Sequence, residues 1–365
     1  MTTISLCMIV KNEEEVLANC LQSIQKICDE IIIVDTGSTD RTKEIAKQFT
    51  DKVLDFKWID DFSAARNFAF SQATMDYILW LDADDVLLPN EQEKFHKLKA
   101  TLDGTVDAVS MIYVIDRDEY GNPSFHYRRN RLVKRSKNFK WIGPVHEYLE
   151  VGGHILSSDI AVEHKKHIKK ASTQISDRNL RIYENRIKNG EDFSPRDLFY
   201  FANELRDHQQ YEKAIIYYNE FLRGKKGWIE DNIRACLYLA DIHARRGEKE
   251  EEMDALLKTL AYDVPRPETS CRIGDYFKAR KLFRTAVFWY DIAYQKKKIT
   301  SGFQNESYST WYPHLALCVC HWELGNVEKS IEHNKMAKKY RPNDKQVLFN
   351  EKFFNDYLKN KNGKK

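Results

Sequence analysis

The first third of the chain alternates short apolar runs with segments that are apolar on one face. Short apolar runs bounded by turn-forming residues predict four strands, at residues 4–10, 31–34, 53–56 and 77–81. Helical periodicity occupies the intervening stretches, at residues 12–25, 42–49 and 63–73. This alternation predicts a doubly wound α/β sheet with right-handed connections.

The pattern changes beyond this region, where strand-like runs follow one another without helices between them. Residues 108–115 are expected to pair with residues 125–133 through a turn at residues 120–123, which contains Gly121 and Pro123. A mixed segment at residues 141–148 and an apolar run at residues 160–164 come next. The first domain is therefore predicted to span residues 1–170, with a mixed second half.

Past residue 172 the chain is helical and repeats itself. Four positions align as the first small residue of each repeat, Ala202, Ala240, Gly274 and Cys318. Twelve residues later stand Ala214, Glu252, Ala286 and Ser330, and sixteen later Tyr218, Leu256, Tyr290 and Asn334. This spacing resembles the tetratricopeptide repeat, in which paired helices stack into a solenoid with a concave face. Residues 171–365 are predicted to form that all-α repeat domain, although Glu252 departs from the small-residue pattern.

Composition narrows the function classes. The chain has 365 residues, is 42% hydrophobic and carries a net charge of +3, so nothing points to nucleic acid. Seven cysteines, without a Cys-x-x-Cys pair, argue against a disulfide framework or a zinc site and favour a reducing cytoplasm. No apolar run approaches the ~20 residues that span a bilayer, and no signal peptide is evident. A cytoplasmic protein without membrane insertion is expected.

Acidic residues follow the fourth predicted strand. The apolar run that ends at Leu81 is followed by Asp82, Ala83, Asp84 and Asp85. Ligands of open α/β sheets bind beyond the carboxyl ends of the strands, so these carboxylates are expected at a ligand site. Neighbouring carboxylates repel one another unless a cation lies between them, and hard oxygen ligands suit Mg²⁺ or Mn²⁺. The alternative is that an aspartate caps the next helix, and Asp85 fits that role at least as well as a metal role.

Four ordered motifs carry a family resemblance: residues 5–12, 34–40, 63–67 and 81–85. Together they resemble family 2 glycosyltransferases, which have the GT-A fold and use nucleotide-sugar donors. The resemblance is dense over residues 3–90 and weaker up to about residue 170. A family 2 domain followed by such repeats also resembles the glycocin S-glycosyltransferases, which modify bacteriocin peptides on cysteine or serine.

The resemblance implies roles for individual residues. It implies a nucleotide-sugar site formed by Val10, Asn12, Asp35, Arg66, Asp82 and Ala83, and metal binding by Asp84 and Asp82. A carboxylate at position 35 can accept a hydrogen bond from the imide N–H of uracil, which favours a UDP-sugar. The alternative is that Asp35 only caps the turn at Gly37. Arg66 would pair with phosphate, or it is a solvated helix arginine.

The chain departs from the family where many members carry a downstream Glu-Asp pair whose Asp is the catalytic base. The nearest candidates are His146 and Glu147, which can both face the site only if residues 141–147 form a loop, because neighbouring strand residues point to opposite faces. Glu147 is predicted as the base and His146 as the second choice. His146 is also a candidate third metal ligand, with His164 as its rival. A surface His-Glu pair is the alternative.

These expectations define a function. The chain is predicted to be an inverting hexosyltransferase that moves a hexose, glucose as first choice, from a UDP-sugar to a cysteine or serine side chain of a peptide or protein. Mg²⁺ or Mn²⁺ is the expected cofactor. The repeats would bind the acceptor, form a homodimer, or do both. A glycan or cell-wall glycosyltransferase and a repeat scaffold with an inactive transferase domain remain as alternatives.

Overall fold

The computed structural model of the protein describes residues 2–121, 123–165, 176–295 and 304–362. The chain forms two compact units. The first comprises Met1–Asp116 and His126–Asp192, and the second Arg117–Phe125 and Phe193–Lys365. The domain boundary predicted at residues 170 and 171 lies outside the described residues.

The elements of the first unit follow the predicted alternation. Its strands are β1 Ile4–Val10, β2 Glu30–Asp35, β3 Val53–Asp55, β4 Tyr77–Trp80, β5 Asp85–Val86, β6 Ala108–Arg117, β7 Pro123–Lys134, β8 Trp141–Ile142, β9 Tyr148–Leu149 and β10 Ile155–His164. Its helices are α1 Leu17–Ile24, α2 Thr42–Ala46, α3 Phe62–Ser71, α4 Pro89–Thr101 and α5 Arg178–Lys188. The ends of β6 and β7 that flank their turn are grouped with the second unit.

One mixed sheet organises the first unit, with the strand order β3-β2-β1-β4-β7-β6-β10-β5. The strands β3, β2, β1 and β4 are parallel, as the βα alternation predicts. Beyond them β7 runs antiparallel to β4, and β10 runs parallel to β6. Because β2, β1 and β4 are parallel neighbours, their carboxyl ends lie along the same edge of the sheet.

Both faces of the sheet are covered, which explains why its central strands are mostly apolar. One face packs Leu6, Met8 and Leu79 with residues of α1 and α4. The other face packs Val34 and Trp80 with residues of α3 and with Trp141 of β8. Helix α3 is therefore held against the sheet close to the carboxyl end of β4.

The second unit is built from helical hairpins. Its helices are α6 Pro195–Asp207, α7 Tyr211–Gly224, α8 Ile229–Arg246, α9 Lys249–Lys258, α10 Pro267–Ala279, α11 Phe283–Gln295, α12 Trp311–Glu323, α13 Val327–Tyr340 and α14 Lys345–Asn362, with a two-residue strand, β11 Gln304–Asn305. The helices pack as the pairs α6–α7, α8–α9, α10–α11 and α12–α13, and α14 packs on α13. The predicted repeats are confirmed.

The small residues of the repeats act as predicted. Ala202, Ala240, Ala286 and Ser330 are all fully buried where paired helices approach. A Cβ atom on Gly274 would lie 2.8 Å from the ring of Tyr290, so this hairpin requires a glycine there. The exception, Glu252, is partly buried and forms ion pairs with Lys249 and Arg272.

Two expectations from composition can be compared with the structure. All seven cysteines are free. Within the described part of the chain, no helix combines the length and the apolar character that crossing a membrane requires.

Candidate active site at the carboxyl ends of the parallel strands

Three predicted site residues follow neighbouring parallel strands. Asn12 comes after β1, Asp35 ends β2, and Asp82 comes after β4. Backbone pairing brings Val10 of β1 level with Asp35 and joins β1 to β4 on its other side. The topology therefore puts the nucleotide and metal motifs along the same edge of the sheet.

Asp35 is buried, and its two carboxylate oxygens differ. Oδ1 accepts hydrogen bonds from the backbone N–H groups of Gly37 and Ser38, both at 2.9 Å. Oδ2 is buried and has no hydrogen-bond partner among the residues that the structure describes. The turn-capping role is therefore real, and it leaves one oxygen for another group. Because an unsatisfied buried acceptor costs free energy, this oxygen is suited to a ligand donor.

Asn12 connects the end of β1 to the same turn. Its side-chain oxygen accepts from the N–H of Thr39 at 2.8 Å, and its own N–H donates to Ser38 Oγ at 3.0 Å. Its φ of 57° is left-handed, a conformation that asparagine tolerates better than most residues. Val10 and Ala83 are both buried, and the Val10 carbonyl already accepts from the backbone N–H of Thr36. Asn12 thus shapes the turn around Asp35.

Arg66 lies on α3 and is buried, so the alternative of a solvated helix arginine is wrong. Its Nη2 donates to Asp82 Oδ1 at 2.7 Å, and its Nε donates to Glu147 Oε1 at 2.6 Å. The guanidinium also faces the rings of Trp80 and Trp141 at 5.2 and 4.7 Å. Two of its donors are thus committed to carboxylates, and the cation joins the predicted base to the predicted donor site.

Asp82 is surrounded by arginines. Its second oxygen, Oδ2, lies 3.9 Å from Arg129 and 4.0 Å from Arg131, both on β7. Burial tends to raise the pKa of Asp82, but the charges of Arg66, Arg131 and Arg129 outweigh burial and hold the pKa well below its usual range. Asp82 therefore stays ionised and is oriented by arginines.

Asp85 does not cap a helix, because α4 begins after Leu88 and Asp85 lies in β5. Its side chain is fully buried and pairs with the fully buried Arg131 at 2.8 Å. It also accepts from the backbone N–H of Asp82 at 2.8 Å. Burial raises the pKa of Asp85 despite the nearby Arg131. The prediction of a cap is wrong because β5 is drawn into the sheet by pairing with β10.

A potential metal group lies next to this pair. Among the described residues, Asp84, Asp85 and His164 each offer a ligand atom within 4.8 Å of the others. Asp84 Oδ2 is 3.4 Å from His164 Nδ1, and both side chains are about a quarter exposed. Since Asp85 is occupied by Arg131, Asp84 and His164 are the members that could hold an ion. Asp82 is not in this group, and both of its oxygens lie near arginines.

His164 enters the site on β10, opposite Asp85 in the strand register. Its Nδ1 also lies 3.2 Å from the hydroxyl of Tyr113. The hydrogen bond with Asp84 raises the pKa of His164 in the absence of a metal ion. A metal would take the place of that proton, since a ligating imidazole must be neutral.

His146 and Glu147 lie in the loop between β8 and β9, as their proposed roles require. Gly143 and His146 have left-handed φ angles of 95° and 50° there. Glu147 is only 12% exposed, so the alternative of a surface His-Glu pair is wrong for it. The ring of His146 instead stacks on that of Tyr183, and it is not a member of the metal group found among the described residues.

Several residues at this site were missed by the sequence analysis. They are Asn67, Tyr113, Arg129 and Arg131. The arginines carried a usable signal, since Arg129 and Arg131 are two apart on a strand and so share one face. Nothing in the sequence indicated that this face lies against Asp82, because that depends on the pairing of β7 with β4.

Comparison with known proteins agrees with this geometry. The family described as glycosyl transferase family 2 matches residues 5–159. A TPR repeat-containing protein of Synechococcus elongatus is 40% identical over 151 residues, which are 41% of this chain and 36% of that protein. The SPbeta prophage-derived glycosyltransferase SunS of Bacillus subtilis is 28% identical over 291 residues, covering 76% of this chain and 66% of SunS.

Among solved structures, glucosyl-3-phosphoglycerate synthase from Mycobacterium tuberculosis, in complex with Mn²⁺ and UDP-glucose, has a TM-score of 0.36 and 16% identity. The match covers 53% of this chain and 81% of that one. The chain spans 36% of the length of the cyanobacterial relative and 66% of that of SunS. By the family match, residues 5–159 form a glycosyltransferase family 2 domain, and tetratricopeptide-like helical repeats follow it in the chain.

Proposed function

We propose that the protein is an inverting glycosyltransferase that transfers a hexose, with glucose as first choice, from a UDP-sugar to a cysteine or serine side chain of a peptide. The observation that carries this proposal is the Arg66 bridge. It joins Glu147, the candidate base, to Asp82, the candidate donor-binding carboxylate, through contacts of 2.6 and 2.7 Å. The candidate proton acceptor and the candidate donor site are thereby joined in one partly buried network.

The nucleotide assignment is supported by Asp35. Its unpartnered Oδ2 is the kind of acceptor that the imide N–H of uracil requires. The turn that holds Asp35 is fixed by Asn12, so the acceptor is preorganised. Guanine and cytosine do not offer the same donor in the same place, and a uridine diphosphate sugar is the expected donor.

Asp84 and His164 are the residues that would hold the cofactor. One carboxylate and one imidazole, both partly exposed, fit Mn²⁺, and Mg²⁺ is the second choice because it prefers oxygen ligands alone. Such an ion, when bound, stabilises the charge that develops on the departing diphosphate. The protein itself offsets the local negative charge through Arg131, which pairs with Asp85 inside the fold.

The chemistry needs one base. The acceptor sulfur or oxygen attacks the anomeric carbon, the bond from that carbon to the diphosphate oxygen breaks, and UDP leaves with the electron pair. The acceptor proton passes to Glu147, whose Oε1 is held by Arg66 while Oε2 has no side-chain partner among the described residues. A single in-line displacement inverts the configuration, so an α-linked donor gives a β-linked product.

The peptide acceptor is supported by the architecture. The match to SunS extends over 291 residues and therefore includes part of the repeats as well as the transferase domain. Solenoid repeats provide an extended surface suited to a polypeptide chain. Neighbouring hairpins carry aromatic and cationic side chains in contact, such as Arg206 of α6 over the ring of Tyr238 of α8 at 3.7 Å.

The test is transfer to defined acceptors. The protein is incubated with UDP-glucose and Mn²⁺ and with matched peptides that contain one cysteine, one serine or neither, and the products are analysed by intact mass. A gain of one hexose that requires cysteine or serine supports the proposal, and the Asp84→Ala variant serves as the inactive control. Nuclear magnetic resonance of the product then gives the anomeric configuration, and an α-linked product would contradict inversion.

The same assay separates the alternatives. Transfer to free saccharides but to none of the peptides would favour a glycan glycosyltransferase. Absence of both transfer and UDP-sugar hydrolysis would favour an inactive domain. Melting temperatures measured with a panel of UDP- and GDP-sugars and Mn²⁺ identify the donor, because a ligand that binds only the folded state raises apparent stability.

A further inference from the structure

Asn67, on α3, forms two hydrogen bonds with the backbone of Trp141, in β8. Its side-chain Nδ2 donates to the backbone carbonyl of Trp141 at 2.9 Å, and its Oδ1 accepts from the backbone N–H of the same residue at 2.9 Å. The amide thus satisfies both backbone groups of one residue, as a neighbouring strand would. Asparagine is suited to this because it offers one donor and one acceptor on a short, planar group.

The segment at residues 141–147 is also attached to α3 at two later points. The backbone N–H of Phe62, at the start of α3, donates to the carbonyl of Pro144 at 2.8 Å. Arg66 then holds Glu147 at 2.6 Å. The segment is therefore fixed to one helix at its beginning, its middle and its end, although it is separated from α3 by about 80 residues of sequence.

The geometry of the segment explains why such attachment is needed. It has no regular secondary structure between β8 and β9, and two of its residues, Gly143 and His146, have left-handed φ angles. Among the described residues the short β8 and β9 strands form ladder hydrogen bonds only with each other, so no backbone pairing connects the segment to the main sheet. Apart from the packing of Trp141 on Trp80 and of His146 on Tyr183, its polar contacts with the rest of the unit described above are those with α3.

We propose that Asn67 is a positioning residue that fixes where the carboxylate of Glu147 lies. This proposal rests on the proposed function, in which Glu147 accepts the proton of the acceptor. The amide of Asn67 holds Trp141 against α3. Glu147 lies six residues later in the chain, where it contacts Arg66 of the same helix. A displacement of even 1 Å at a reacting group can lower a rate by about 10²-fold.

The experiment compares substitutions on the same helix. Asn67→Asp keeps the acceptor for the Trp141 N–H but places an oxygen against the Trp141 carbonyl, and Asn67→Ser removes the paired contact without adding charge. Ser71→Ala is the matched control, since it also removes two side-chain hydrogen bonds, one to the carbonyl of Phe68 and one from the side chain of Gln72, and neither involves residues 141–147. Each variant is assayed for kcat, for KM of the UDP-sugar and for the melting shift caused by UDP with Mn²⁺.

The expected result is a split between turnover and donor binding. Both Asn67 variants should lose at least tenfold in kcat, while KM for the donor and the UDP-induced melting shift stay within twofold of the parent. Ser71→Ala should match the parent. Combining Asn67→Ser with Glu147→Gln should cost no more than Glu147→Gln alone, because a base that has been removed can no longer be misplaced.

Other outcomes would overturn parts of the argument separately. Parental kcat in both Asn67 variants, or losses that multiply in the double variant, would overturn the positioning role while leaving Glu147 as the base. Parental kcat in Glu147→Gln would remove the base assignment itself. A UDP melting shift lost in both Asn67 variants but not in Ser71→Ala would mean that Asn67 maintains the donor site and not the base.

Discussion

The substitution Asp35→Asn isolates one atom of the candidate nucleotide site. In the parent, Oδ1 accepts from the N–H groups of Gly37 and Ser38, whereas Oδ2 is buried and no described residue donates to it. An asparagine amide should keep its oxygen toward those two donors, because the reverse orientation would direct N–H groups against N–H groups. The amide nitrogen therefore replaces Oδ2 and changes an acceptor into a donor.

The size of the effect follows from that exchange. A lost hydrogen bond to a charged group costs about 1.5–3 kcal/mol, so UDP affinity should fall by about 10- to 150-fold. N3 of cytosine is an acceptor where N3 of uracil is a donor. The new amide N–H₂ can donate to N3 of cytosine, so CDP affinity should rise while UDP affinity falls. The ratio of UDP to CDP affinity should therefore decrease by a larger factor than the UDP affinity alone.

The assay is calorimetric titration of UDP and CDP in Mn²⁺ with the parent, Asp35→Asn and Asp40→Asn. Asp40 lies in the same turn and has an oxygen that accepts from Thr42, so its substitution controls for the loss of one negative charge. The Asp40 variant should keep the parental UDP to CDP ratio. An Asp35→Asn protein that is folded and still prefers UDP by the parental ratio would refute the assignment of Oδ2 to uracil.

Three further outcomes are expected. Asp84→Ala and His164→Ala should each raise the Mn²⁺ concentration needed for the melting shift with UDP by at least about tenfold, because each removes a ligand. His146→Ala should leave that concentration unchanged. The reverse pattern would restore His146 as the ligand. Glu147→Gln should lower kcat by about 10²–10⁴-fold with little change in UDP affinity. With a thiol acceptor this variant should regain activity as pH rises toward the thiol pKa of about 8.5, and with a hydroxyl acceptor it should not. In the repeats, burial lowers the pKa of His333 from its ordinary 6.5 to about 4. Between pH 6.5 and 4 the histidine is protonated in the unfolded chain but neutral in the folded chain. The contribution of His333 to the free energy of unfolding is therefore fully present above pH 6.5 and decreases as pH falls, by about 2–3 kcal/mol at pH 4. Melting scans across that range should show a shallower acid loss for His333→Phe, and an unchanged slope would exclude His333 as its source.

Periodicity predicted most of the secondary structure because burial acts on each element locally. The parallel strands were identified from short apolar runs, and β1 was predicted with its observed bounds, Ile4–Val10. The small residues of the repeats were also visible in sequence, since a hairpin such as that of Gly274 and Tyr290 depends on side-chain size at a fixed spacing. Both signals are short-range properties of the chain.

The motifs likewise indicated where ligands bind but left the roles of single residues open. Asp35 ends β2, and Asp82 and Asp84 follow β4. Both strands run parallel to β1 on either side of it, so the rule for carboxyl ends was enough to predict that these residues share one edge of the sheet. The sequence motifs could not distinguish His146 from His164 as the candidate metal ligand. It depends on β10 lying beside β5, a pairing between distant segments.

The sequence by itself thus determined the order of elements, the repeat architecture and the strand ends that carry the candidate site. Only the tertiary structure decided what each polar side chain contacts. Arg66 meets Glu147 across 81 residues, Asp85 is buried against Arg131, and Asn67 holds Trp141. The physical reason is that periodicity specifies which face of an element is buried, whereas the partner of a buried charge is set by strand order and register, which no local pattern encodes.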